Sequence, residues 1–121
     1  GINYPMIRYA DVLLMYAEAA NELGRIDDAR DAVNEVRKRP SVNMPALTAG
    51  NTGTKETMFD AIVHERQVEL MFEYQRFMDL KRWGLAQQVL GPLGFTSKHN
   101  LFPIPQLELD INPNLTQNPD W

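Results

Sequence analysis

Between residues 65 and 84 the chain reads ERQVELMFEYQRFMDLKRWG, with carboxylates and guanidiniums recurring at helical spacing. Glu65, Glu69, Arg76, Asp79 and Trp83 fall on one stripe of a helix. Ile62, Arg66, Glu69, Glu73, Arg76 and Leu80 trace the adjacent one. Two chemistries use such groups. Paired carboxyls across a sugar are the machinery of glycoside hydrolysis. Alternating charges also build a structural ion-pair lattice. The lattice is favoured, because opposite signs at successive turns neutralise each other and planar Arg suits carboxylates bidentately. Its expected members are Arg8, Asp11, Glu18, Glu65, Arg66, Glu69, Glu73, Arg76, Asp79 and Arg82, joining this helix to the first helix and to the tail. No residue is assigned a catalytic role.

Other reactive patterns are incomplete. His64-Glu65 begins a zinc motif, but position 68 is Val where the second His would stand. His99 is far along the chain, so no metal site and no cofactor are expected. The absence of Cys excludes disulfides, thiol catalysis and thiolate-bound metal within the chain. Gly50-Asn51-Thr52-Gly53 lacks the lysine of a phosphate loop, and neither Ser41 nor Ser97 sits in a nucleophile elbow. A sugar would need exposed aromatic faces. Tyr4, Phe72, Tyr74, Phe77, Trp83 and Trp121 are available. Trp83 ends a core-facing helix and is read as buried. Tyr74 and Trp121 stay as ligand-binding candidates. Met15, Met58, Met71 and Met78 are read as core filler.

The elements that must position these groups follow from size and periodicity. At 121 residues the chain supports one domain with a modest core. It is 44% hydrophobic and 23% charged, a globular composition. The net charge of -4 argues against a nucleic-acid partner. Arg37, Lys38 and Arg39 are read as complementing a helix dipole. No apolar run reaches the ~20 residues of a membrane span, and no signal peptide is visible. The chain opens Gly-Ile-Asn-Tyr-Pro without Met, so a fragment or processed product is expected.

Ile7, Ala10, Leu13, Leu14, Ala17, Ala20 and Asn21 follow the helical period, which predicts a first helix over 7–23 after Pro5. Gly24 stops it, and Asp27 caps a second helix carrying Ala29, Ala32, Val33 and Val36, closed before Pro40. The short link makes an antiparallel hairpin for residues 1–40, and Leu23-Gly24 with Ala29 and Val33 resembles a tetratricopeptide unit. A single unit cannot bury its own apolar face. Residues 41–55 form a loop whose small polar side chains could hydrogen-bond hydroxyls, although a plain surface connection is the favoured reading. Thr54 or Thr57 caps a long third helix, predicted unbroken to about Trp83, and a short helix follows at 85–90. From 91 to 121 the chain is a Pro-rich tail holding five of the eight prolines, with one turn of helix at 106–110. Phe102, Ile104, Leu107, Leu109, Ile111, Leu115 and Trp121 are its expected anchors. The fold class is all-α.

Three blocks of residues together resemble one family. The first is Arg8-Tyr9-Ala10-Asp11-Val12-Leu13-Leu14-Met15-Tyr16-Ala17-Glu18-Ala19. The second is Glu65-Arg66, Glu69-Leu70, Arg76, Asp79-Leu80 and Arg82-Trp83-Gly84. The third is Phe102-Pro103-Ile104-Pro105, Glu108, Asn112-Pro113, Leu115 and Gln117-Asn118-Pro119. In this order they resemble the C-terminal part of the SusD/RagB outer-membrane lipoproteins of Bacteroidetes. The resemblance implies a helical, tetratricopeptide-like fold and no catalysis. It implies a cell-surface protein at the outer membrane that captures glycans or other nutrients. The implied partner is a SusC-like TonB-dependent transporter. Contact with the membrane would be through a lipid anchor on a Cys that this chain lacks. Ligand contacts in the family lie largely in loops and in the region before this segment, which the resemblance therefore makes mainly scaffold. Tyr74 departs from the family, which often has Gly there. The alternative, carried by the hairpin pattern, is a free-standing tetratricopeptide-like module that binds a peptide in its groove.

Overall fold

A computed structural model describes residues 6–121, and the readings placed on Pro5 and Tyr4 lie outside them. Secondary structure among the described residues is helical, without strands. The chain forms two compact units, Gly1–Arg76 and Phe77–Trp121.

In the first unit, α1 (Tyr9–Glu22) and α2 (Ile26–Arg37) make a helical hairpin. Gly24 joins them at φ +75°, with Gly24 N–H donating to Asn21 O and Arg25 N–H to Ala20 O. That pair of bonds satisfies the last carbonyls of α1 and explains why a residue without Cβ stands at the bend. Asp27 and Asp28 lie inside the first turn of α2, not before it. There they pair with Arg30 and Arg25. The third helix, α3 (Lys55–Glu69), starts in a reciprocal cap in which Thr54 and Thr57 each accept from the other's backbone N–H.

All three helices contribute to one core. Leu14, Ala17 and Ala20 of α1 meet Ala29, Val33 and Val36 of α2 and Met58 and Ile62 of α3. The alanines let the helix axes come close, so a few larger side chains fill the remaining space. Met58 is the only one of the four core-assigned methionines that is buried; Met15, Met71 and Met78 are exposed. The loop between α2 and α3 is strapped to α2. Arg30 donates to Thr52 Oγ1 and O, Asn34 bonds Leu47 in both directions, and Arg37 donates to Pro45 O.

The helix predicted to run unbroken to Trp83 is two helices. It stops at Glu69, and α4 (Gln75–Arg82) begins after a knuckle at Leu70–Tyr74. Phe72 and Tyr74 take left-handed backbone, at φ +67° and +63°. No Pro or Gly stands there, so local sequence does not dictate the break. A tertiary contact does. Arg8 Nη2 donates to the Glu69 carbonyl at 2.9 Å, taking an acceptor that a continuing helix would use, and its Nε grips Glu73.

In the second unit, Gly84 at φ +73° ends α4, and α5 (Ala86–Leu90) follows. Two 3-10 turns, Gly91–Leu93 and Ser97–Asn100, precede α6 (Gln106–Ile111). The expected anchors Phe102, Leu107, Ile111, Leu115 and Trp121 are exposed, while Ile104 and Leu109 are half-buried. Polar side chains hold this segment instead. Ile104 N–H donates to Gln117 Oε1, Gln117 Nε2 donates to Ile104 O, and Asn118 Nδ2 donates to Phe102 O. Prolines on both sides of Ile104 remove N–H groups and hold the backbone extended, so side-chain amides supply the bonds a sheet neighbour would.

Candidate functional site

Most of the charged residues singled out above converge at one end of the three-helix core. Arg66, almost fully buried on α3, donates to Asp11 Oδ1 on α1 at 2.9 Å. Glu65, also buried, accepts from Arg37 Nη1 of α2 at 2.6 Å. Glu69 accepts from Arg8 on one oxygen and from Arg39 on the other. Glu73 takes Arg8 through both oxygens, at 2.6–3.0 Å. These bonds hold the Glu73 carboxyl below the usual carboxylate range and raise the Arg8 guanidinium, the attraction between them adding to both shifts.

Arg76 donates to the Val63 carbonyl at 3.5 Å. Asp79 and Arg82 pair one turn apart on α4, and Arg82 also lies 4.5 Å from the Trp83 ring. Trp83 is half-buried, and Glu18 lies half-buried on α1. Two members escaped the sequence reading. Arg37 and Arg39 look like dipole complements at a helix end, yet both reach across to α3. Nothing local marks them. Only the packing of α2 against α3 turns them inward.

Each buried carboxylate of this cluster therefore faces a guanidinium, an arrangement that fixes helices. Among the described residues no group of three or more His, Asp or Glu could hold a metal ion.

The two aromatic candidates differ. Trp121 is pinned, its Nε1–H donating to Lys98 O at 3.0 Å and Leu101 O at 3.1 Å. Lys98 Nζ lies 4.7 Å from its ring centroid and the His99 ring meets it edge-on. It closes the tail more than it offers a free face. Tyr74 is 86% exposed and borders a cleft of about 180 Å³ with Met6, Ile7, Arg8, Asp11, Glu73 and Gln75.

Comparison with known proteins fits this geometry. The SusD family's sequence profile matches residues 1–94. SusD-like protein P38 of Formosa agariphila is 37% identical over 123 residues, 96% of this chain and 24% of that protein. The starch-binding protein SusD of Bacteroides thetaiotaomicron is 28% identical, over 94% of this chain and 21% of its own length. A crystal structure of a SusD superfamily protein from Bacteroides vulgatus superposes with a TM-score of 0.84 at 40% identity, covering 96% of this chain and 27% of that one. The chain thus spans about a quarter of the length of these relatives. With its match over most of its length and its fold shared at that identity, the chain belongs to the SusD family.

Proposed function

We propose that this chain serves non-catalytic capture of glycans at the outer-membrane surface, beside a SusC-like TonB-dependent transporter, and that this segment is mainly scaffold. Family membership carries the reading. The named starch-binding relative supplies the ligand class. The geometry supports the scaffold role, since the buried carboxylates Asp11, Glu65 and Glu69 are each spent on guanidiniums of another segment. A glycosidase needs two carboxyls facing its substrate. Here they face Arg.

The test is affinity purification of the tagged protein from outer membranes, with mass-spectrometric identification of what comes with it. A TonB-dependent transporter in stoichiometric yield is expected. Its consistent absence would sink the partnership.

A further inference from the structure

The geometry points to a binding subsite for a neutral pyranose ring in the cleft at the break between α3 and α4, with Tyr74 as its stacking platform. This assignment rests on the glycan-binding reading above and deepens it.

The first observation is strain. Phe72 and Tyr74 both hold left-handed backbone, which bulky side chains rarely adopt. A glycine at either position would relieve it. Strain of this kind persists where surrounding structure enforces it, and it collects at binding sites. Here Arg8 enforces it, through Glu69 O and the Glu73 carboxylate.

The second is display. Tyr74 is 86% exposed while the side chain of the preceding Glu73 is held by Arg8, so the ring stands outward beside a fixed group. A rigid aromatic face loses little entropy on binding and matches the apolar C–H face of a pyranose.

The third is the chemistry of the walls. With Tyr74 the cleft is lined by the apolar Met6 and Ile7 and by the polar Gln75, Arg8, Asp11 and Glu73. The side chains of Tyr74 and Gln75 make no hydrogen bond among the described residues, whereas Arg8, Asp11 and Glu73 are fixed by ion pairs. An amide offers both donor and acceptor, the combination that vicinal hydroxyls require. Because the fixed charges cancel in pairs, the cleft favours an uncharged ligand over an acidic or basic one.

The test uses a substitution that removes the platform while relieving the backbone. Tyr74→Gly, Tyr74→Phe and Gln75→Ala are compared with the wild-type chain by calorimetric titration. The probes are maltoheptaose, laminarihexaose, mannohexaose and xylohexaose, with circular dichroism as the folding control. The wild type is expected to bind at least one probe. Tyr74→Gly should fold and lose about tenfold or more in affinity, as expected for loss of a stacking face. Tyr74→Phe should bind within a few-fold of wild type, and Gln75→Ala should be intermediate. Undiminished binding by folded Tyr74→Gly overturns the subsite and leaves glycan capture standing. No binding of any probe by the folded wild type also overturns it, and the family-level reading then rests on the transporter purification.

Discussion

At the scale of single residues, position 74 shows how a side chain and its backbone can disagree. Left-handed backbone costs a non-glycine residue roughly 1–2 kcal/mol. Tyr74→Gly is therefore expected to stabilise the fold by about 1 kcal/mol, part of the gain being offset by the freer unfolded chain. Urea unfolding reads this directly. The buried pairs behave oppositely. Asp11→Ala removes from the buried Arg66 guanidinium the carboxylate that Asp11 supplies, at an expected cost of ~3–5 kcal/mol. A change below 1 kcal/mol would mean that other contacts of Arg66 carry its charge. The Glu73 carboxyl titrates below its ordinary range because Arg8 holds it. Its contribution is present above the unfolded value and lost as pH falls through the lowered one. Glu73→Gln should thus weaken the protein at pH 7 and by less at a pH below the ordinary carboxylate range. Equal losses at both pH values would show that Arg8 does not depend on the charge.

At the scale of elements, the sequence revealed helices well and their interruptions poorly. The period of Ala10, Leu14, Ala17 and Asn21 located α1, and Gly24 marked its end, because those signals are local. The knuckle at 70–74 was invisible. Its cause is an Arg more than sixty residues upstream that satisfies the Glu69 carbonyl. Similarly, the Phe102–Pro105 and Gln117–Pro119 segments were recognisable as motifs but not as partners. Their pairing is a side-chain-to-backbone clamp between extended segments. Gln117→Ala should loosen that clamp while leaving the core of the first unit intact. Hydrogen exchange is expected to speed at the Ile104 amide and not at Ile62, whose side chain is fully buried.

At the scale of the whole molecule, the all-helical class and the hairpin were readable. The location of the candidate site was readable only as the name of one residue, Tyr74. Its walls come from segments more than sixty residues apart, so no window of sequence contains them. One further property belongs to this scale. Tyr9, Val12, Tyr16 and Leu23 are exposed at helical spacing along α1 and just past its end. A stripe of this kind is an association surface when nothing covers it. The isolated chain is expected to self-associate with rising concentration, and Val12→Glu with Tyr16→Glu to abolish this in sedimentation velocity. A chain monomeric at all concentrations would remove that stripe as a contact.

Glycan capture without cleavage is tested most directly by native mass spectrometry of the folded chain with each of the four oligosaccharides. The expected result is a complex whose added mass equals one intact glycan and which persists unchanged over hours. Added masses matching cleaved products would contradict it, and free chain at every glycan concentration would overturn the subsite at Tyr74.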